Sequence, residues 1–150
     1  MFERQCWMQR AGDYPQTDRR WNELLARAIV SAGLGPKVVE GRWETMSDLF
    51  HQWDPEKVAA MTELDVGRLL SDLGATRNRR KIEAVIANSK ILLDVAAFFE
   101  RSFGGFVANL CGSRDLDEAA EVLSNEFRYL GRASALFFLW SAGYRPAVAA

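Results

Sequence analysis

The side chains of this chain that are best suited to bind an anion lie within five consecutive positions. They are Arg77, Asn78, Arg79, Arg80 and Lys81. The chain as a whole has a formal net charge of only −1 at pH 7. A dense cationic cluster in a nearly neutral protein indicates a specific anionic partner. The cluster also stands near the start of a predicted helix, where it opposes the helix dipole, and this conflict favours a functional reason for it.

A second segment can bind phosphate through its backbone. Residues 125–131 form a predicted Gly-bearing turn between two predicted helices, 115–125 and 132–142. A helix that starts after such a turn directs its first N–H groups outward, and these groups can bind phosphate oxygens. The candidate residues of this turn are Arg128, Tyr129, Leu130, Gly131 and Arg132. A turn of this kind is also a common connection between packed helices, so the pattern alone leaves both interpretations open.

Both segments need a helical framework, and the rest of the sequence predicts one. Apolar residues recur at a spacing of three and four along most of the chain, and no stretch alternates long enough to predict a strand, so the fold is predicted to be all-α. The periodic segments are 21–32, 38–50, 55–61, 62–73, 82–99, 106–110, 115–125 and 132–142. Start signals include Asp54 before Pro55 and a capping-box pattern at 62–65. Residues 101–106, with Gly104 and Gly105, are predicted to form a loop.

Length and composition limit the remaining possibilities. The 150 residues are predicted to form one domain, 1–150. No apolar run reaches the ~18 residues of a membrane span, and the N-terminus lacks a signal-peptide pattern, so we expect a cytoplasmic protein without a membrane partner. Cys6, Cys111 and His51 are the only cysteines and histidine, which are too few for a four-ligand zinc site without other ligands. We therefore predict no metal, no cofactor, and free, buried thiols.

Several motifs of the chain have counterparts in a known family. They are His51-Gln52-Trp53-Asp54-Pro55-Glu56-Lys57-Val58-Ala59-Ala60-Met61, the basic segment described above, and Phe127-Arg128-Tyr129-Leu130-Gly131. With these motifs the chain resembles the DNA-3-methyladenine glycosylase I family, within the helix-hairpin-helix DNA glycosylase superfamily, over about residues 4–144. The resemblance implies an all-α helix-hairpin-helix domain that binds DNA through the basic segment and the hairpin. It also places Leu34, which follows Gly33, at the loop that wedges into the duplex.

The resemblance further implies a pocket for a flipped base. Trp7 and Tyr14 match two aromatic residues of the family's pocket. Trp21 and Trp43 are further candidates for stacking on the base. Their helical spacing with aliphatic residues equally fits a role in the core, and we favour that role for both.

Other functional positions of the family are occupied by different residues here. The family's base-reading glutamate falls at Ala28 or Ile29, and its segment with a zinc-ligating histidine is missing. The catalytic aspartate of the wider superfamily falls at Ala150. Two acids, Glu40 and Asp48, lie nearby on a predicted helix, and its pattern favours a solvated position for both. The sequence therefore leaves the catalytic residue unassigned.

The function that the resemblance implies is base-excision repair. The expected substrate is double-stranded DNA with alkylated bases, and the expected reaction is hydrolysis that releases 3-methyladenine or a similar cationic alkylpurine from a monomeric enzyme. A positively charged base leaves easily, so a dry aromatic pocket can suffice without a nucleophile. Two alternatives stay open: a relative that binds DNA or senses lesions without catalysis, and a helical protein-interaction domain.

Overall fold

The computed structural model describes residues 2–72, 76–100 and 102–146. Within these ranges the chain forms eight α-helices and one short 3-10 helix and contains no strand, which confirms the all-α prediction. The α-helices are α1 Asp18–Ser31, α2 Pro36–Leu49, α3 Pro55–Ala59, α4 Glu63–Ser71, α5 Arg79–Phe98, α6 Phe103–Gly112, α7 Leu116–Glu126 and α8 Arg132–Ser141, and the 3-10 helix is His51–Trp53. None of the described helices is long and apolar enough to cross a bilayer. Residues 73–75, which follow or end the predicted helix 62–73, and position 150 lie outside the described residues.

Helix α1 lies at the centre of the molecule. It packs against α2, α3, α5, α6 and α8, and an unbroken run of its residues, from Leu24 to Val30, is buried. Thr17 caps its start by accepting a hydrogen bond from the backbone N–H of Arg20 at 3.1 Å. A helix that is apolar on nearly every side needs neighbours on every side. Any cavity along α1 is therefore enclosed by several elements at once.

The predicted loop at 101–106 is wrong, because α6 already begins at Phe103. Ser102 accepts a hydrogen bond from the N–H of Gly105 at 3.1 Å, and Asp18 accepts one from the N–H of Phe103 at 3.0 Å. A Cβ on Gly104 would lie 3.1 Å from Nε1 of Trp21. Gly104 therefore lets α6 approach α1 closely, because a side chain at this position would press against Trp21.

The N-terminal segment, residues 2–14, crosses the C-terminal part of α8. The N–H of Gln9 donates to the carbonyl of Ser141 at 2.8 Å, and the N–H of Gly12 donates to that of Gly143 at 2.9 Å. The ring of Phe2 packs edge-on against the ring of Phe137 at 5.4 Å. These contacts fix a segment without regular structure against the helices, and they bring the rings of Phe2 and Trp7 to the C-terminal half of α1.

Candidate functional site

A cavity of about 230 Å³ lies between the N-terminal segment, the C-terminal half of α1, the start of α2 and the first turns of α8. Most of its lining is apolar. The lining residues are Phe2, Gln5, Trp7, Arg27, Ala28, Ser31, Ala32, Leu34, Pro36, Val39, Ala133, Ser134 and Phe137. An apolar recess with a few polar groups is the usual form of a small-molecule site, and this one has the aromatic walls that a planar ring requires.

Trp7 is the one predicted pocket aromatic that lines the cavity. Its indole Nε1 donates to Oε1 of Gln5 at 2.8 Å, and its ring lies 5.9 Å from that of Phe137. The placement of the other three predicted aromatics is different, since none of them borders the cavity. Tyr14 stacks on Tyr144 with 4.1 Å between the ring centroids.

Trp21 and Trp43 belong to the core, the role that their spacing favoured. Trp21 is almost fully buried and packs edge-on against Phe103. Trp43 stacks on Trp53 with a centroid distance of 4.7 Å and donates from Nε1 to Oε2 of Glu23 at 2.8 Å. Both rings are held by other core side chains, so Trp21 and Trp43 are no longer candidates for stacking on a base.

A buried arginine borders the cavity beside Trp7. The side chain of Arg27 is only 4% exposed, and its Cζ lies 3.9 Å from the centroid of the Trp7 ring and 4.8 Å from that of Trp43. Its Nη2 donates to the carboxylate of Glu40, which is about half exposed. Burial lowers the pKa of the Arg27 guanidinium, and the carboxylate of Glu40 opposes this shift. Glu40 is therefore engaged with a buried cation and not simply solvated, as its helix pattern suggested.

The candidate wedge residue and the hairpin meet at this cavity. Leu34 is 40% exposed and lines the cavity. Ala133 and Ser134, in the first turn of α8, line it as well. Gly131 is the N-cap of α8, and no side chain caps this helix, which leaves its first N–H groups to other acceptors. A phosphate bound there would lie next to the cavity.

The turn before α8 is held in place by one buried side chain of α5. Asn88 is 1% exposed, and its Nδ2 donates to the carbonyl of Arg128 at 2.9 Å while its Oδ1 accepts from the N–H of Arg128 at 2.7 Å. Tyr129, the next residue, adopts a left-handed conformation with φ of 57°. The side chain of Leu130 is buried, so this residue can offer DNA only its backbone.

The basic cluster divides into residues with different environments. Arg79 forms ion pairs with Glu63 at 2.5 Å and Glu83 at 3.3 Å. Arg77 and Arg80 are exposed and form no ion pair among the described residues. Asn78 accepts a hydrogen bond from the N–H of Lys81 at 3.3 Å and so caps α5.

Arg80 lines one groove together with the hairpin residues Arg128 and Tyr129. Arg128 is exposed and, like Arg80, has no ion pair among the described residues, whereas Arg132 pairs with Glu121 at 3.6 Å. The two predicted DNA-binding segments therefore meet on one face, and the charges of Arg80 and Arg128 are available there.

The prediction that Lys81 contacts DNA requires correction. Its side chain is buried, and Nζ donates to the carbonyls of Val30 at 2.9 Å and Ala32 at 2.7 Å. Burial lowers the pKa of its ammonium. The lysine satisfies carbonyls at the end of α1, where a cation also complements the helix dipole. It thus anchors the start of the loop that carries Leu34.

Replacing Lys81 by Met should destabilise the protein by about 1–3 kcal/mol, because two carbonyls near the end of α1 would lose their donor. The aliphatic stem of Met preserves most of the packing. Urea unfolding followed by circular dichroism measures the change. Arg80→Met, at the exposed neighbouring position, serves as the control and should stay within about 0.5 kcal/mol of the natural protein. Equal stability of the two variants would show that the buried hydrogen bonds of Lys81 contribute nothing.

The cysteines are both free, but the prediction of burial is wrong for Cys6, which is exposed, while Cys111 is half-buried. Within the described ranges, no three residues of the types His, Cys, Asp and Glu are grouped closely enough to hold a metal ion. The expected absence of a metal remains a prediction, and metal analysis of the purified protein would test it.

The described chain has an all-α architecture in which the turn before α8 adjoins a cavity with aromatic walls. A model of the methyladenine glycosylase family matches residues 5–130. The chain belongs to this family.

Individual relatives agree with this assignment. The chain is 42% identical over 82 residues to DNA-3-methyladenine glycosylase 1 of Escherichia coli, a match that covers 54% of this chain and 44% of the relative. It is 40% identical over 62 residues to DNA-3-methyladenine glycosylase of Haemophilus influenzae, covering 41% and 34%. The matches span less than half the length of these curated relatives.

Solved structures extend the likeness over most of the chain. A crystal structure of 3-methyladenine DNA glycosylase I is similar with a TM-score of 0.75 and 26% identity, covering 90% of this chain and 93% of the other. A variant of 3-methyladenine DNA glycosylase I in complex with 3-methyladenine is similar with a TM-score of 0.78 and 25% identity, covering 91% and 81%.

Sequence reasoning missed the residues that organise the site. No local sequence signal distinguishes Asn88 from the other polar residues of α5, or Phe137 from the other apolar residues of α8. For Arg27 a signal existed: it lies three residues after Leu24 and interrupts an otherwise apolar run of α1. A charged residue inside a buried face usually has a specific partner, and here that partner is Glu40.

Proposed function

We propose that this protein is a DNA glycosylase of base-excision repair. It hydrolyses the N-glycosidic bond of 3-methyladenine, or of a similar cationic alkylpurine, in double-stranded DNA. The observation that carries the proposal is the cavity between Leu34 and the first turn of α8. An enzyme that excises a base must take it out of the duplex stack into such a recess. In this role residues 1–150 form one domain that acts as a monomer.

The surroundings of the cavity support contact with a DNA backbone. The uncapped start of α8 offers N–H groups to one phosphate. Arg80 and Arg128 flank the groove beside it and supply positive charge for neighbouring phosphates, and Arg77 adds to this charge. Leu34 stands partly exposed at the cavity, where it can fill the gap that a flipped nucleotide leaves in the stack.

The composition of the cavity favours a base that leaves readily. None of the described residues that line it is a carboxylic acid, and a neutral base is a poor leaving group that normally requires acid or base catalysis. N3-alkylated adenine already carries a positive charge, so its glycosidic bond breaks without protonation of the base. The rings of Trp7 and Phe137 would stack on the flipped base and keep it from water.

One observation favours a second candidate, a lesion-binding relative without catalysis. Ala28, one of the two positions that match the family's base-reading glutamate, is buried in the cavity wall. A methyl group there cannot accept a hydrogen bond from a base edge. If no other group replaces the lost acceptor, the cavity can hold a base but cannot distinguish one base from another.

Release of free bases from methylated duplex DNA separates the candidates. The full chain is incubated with such DNA, and released 3-methyladenine, 7-methylguanine and uracil from a separate uracil-containing duplex are quantified by mass spectrometry. We expect release of 3-methyladenine well above the spontaneous rate without protein, and no release of uracil. Salt-dependent duplex binding without any release would favour the second candidate. If the protein neither binds the duplex nor releases a base, the remaining candidate is a helical protein-interaction domain.

A further inference from the structure

We propose that Arg27 and Glu40 form the base-reading pair of the cavity. In this proposal Arg27 is the specificity-determining residue and donates a hydrogen bond to a ring nitrogen that methylation leaves free. Glu40 offsets the charge of Arg27, so that a cationic base is not repelled. The inference rests on the proposed function, because it assigns how the same cavity recognises its base.

The guanidinium of Arg27 is held in one orientation at the cavity wall. It lies between the rings of Trp7 and Trp43, with its Cζ at 3.9 Å and 4.8 Å from their centroids. Its side chain is almost fully buried and still borders the cavity. An arginine held by stacking presents its N–H groups in a fixed planar fork, which suits recognition of a planar ligand.

The hydrogen-bonding capacity of Arg27 is only partly used. Among the described residues only its Nη2 has a partner, the carboxylate of Glu40. Nε and Nη1 are not among the fully buried atoms that lack a partner, so they keep contact with solvent and can donate to a ligand in the cavity. The N1 and N7 atoms of 3-methyladenine are acceptors, and methylation at N3 leaves both of them available. A bound purine would therefore supply one of these two acceptors to an N–H of Nε or Nη1.

The charge of Arg27 explains why Glu40 matters. An arginine at the wall of a pocket disfavours a cationic ligand unless an acid balances it. Two acids lie nearby, but Glu23 is already bound to Arg20 at 2.7 Å and to the indole of Trp43. Glu40 is the acid that bonds to Arg27 itself. Neutralising Glu40 would leave the cavity with one uncompensated positive charge.

Two small ligands of the same shape test the pair without any need for catalysis. The first is 3,9-dimethyladenine, a permanent cation that resembles the lesion in DNA. The second is 3-deaza-3,9-dimethyladenine, a carbon isostere that keeps N1 and N7 and is neutral when the titration is run at a pH above the pKa of its N1. Binding to the full chain is measured by NMR titration that follows the indole N–H of Trp7, and thermal unfolding confirms that each variant is folded.

The natural protein should bind both ligands. Glu40→Gln should weaken binding of the cation by about tenfold and leave the neutral isostere within about twofold, since the charged partner of one buried cation is lost. Arg27→Met should weaken both ligands by about tenfold, and Arg27→Lys should restore only part of the loss because its ammonium lacks the fork. Glu44→Gln, which changes an exposed acid of the same helix, is the matched control and should change neither.

Three results would overturn the inference: no binding of either ligand to the natural protein, equal weakening of both ligands by Glu40→Gln, or unchanged binding in folded Arg27→Met. Base release from methylated DNA, measured on the same proteins, reports separately on the proposed function. If Arg27→Met still releases 3-methyladenine at the natural rate, the protein is a glycosylase but Arg27 and Glu40 do not read its base. If the variants change ligand binding as expected but the natural protein releases no base, Arg27 and Glu40 recognise the ligand and the protein is not a glycosylase.

Discussion

Replacing Arg80 and Arg128 together by Ala should make duplex binding weaker and less dependent on salt. Each phosphate contact that is lost lowers the slope of log affinity against log salt concentration by about 0.9, so the double variant should lose about 1.8. Both side chains are exposed, line one groove and have no ion pair among the described residues. Fluorescence anisotropy with a labelled duplex at several NaCl concentrations measures the slope.

Two other arginines provide controls for this experiment. Arg114 is exposed but borders a different surface region, together with Asp115 and Tyr144, so Arg114→Ala should leave the slope unchanged. Arg79→Ala should have a smaller effect than Arg80→Ala, because Arg79 is engaged by two carboxylates. A double variant that keeps the full salt slope would place the DNA on another face of the protein.

Local signals in the sequence predicted most helix boundaries. The side chain of Asp54 accepts from the backbone N–H groups of Glu56 and Lys57 at the start of α3, and Thr62 and Asp65 form the capping box at the start of α4. Such signals act within three or four residues, so the sequence contains them completely. The same reasoning located the turn before α8, although the two hydrogen bonds that hold it come from Asn88 of α5.

The predictions that failed depend on contacts between distant parts of the chain. Lys81 looked like one more cation of a basic cluster, but its ammonium binds carbonyls about fifty residues earlier, at Val30 and Ala32. Gly104 looked like a loop residue, but it lies against the ring of Trp21. Periodicity identifies which face of a helix is buried and not which helix covers it.

The candidate site was predictable only where the resemblance supplied a match. Trp7 was assigned to the pocket by resemblance, and the structure places it at the cavity. Tyr14 was assigned in the same way, and it stacks elsewhere on Tyr144. Arg27 and Glu40 have no counterpart in the motifs that carry the resemblance. Their pairing across α1 and α2 follows from tertiary packing, which no local pattern encodes.

Replacing Trp7 by Ala should reduce release of 3-methyladenine by about tenfold or more. Stacking of a base on an aromatic side chain contributes about 1–3 kcal/mol, and the cation–π attraction of a charged base adds about 0.5–2 kcal/mol. The ring also supports the guanidinium of Arg27 at 3.9 Å. Single-turnover excision from methylated duplex DNA, at a temperature where the variant remains folded, measures the loss. Trp7→Phe keeps an aromatic face and should lose much less.

Tyr14→Ala is the matched comparison, because Tyr14 shares the resemblance to a pocket aromatic but lies outside the cavity. Loss of its stacking on Tyr144 should lower the melting temperature and leave the excision rate of the folded protein close to that of the natural chain. The two variants thus distinguish the role of Trp7, which lines the cavity, from that of Tyr14, which holds the N-terminal segment in place. An equal loss of excision in both, at equal folded fractions, would mean that the base is bound at the Tyr14–Tyr144 stack and that the cavity beside Arg27 has been assigned the wrong role.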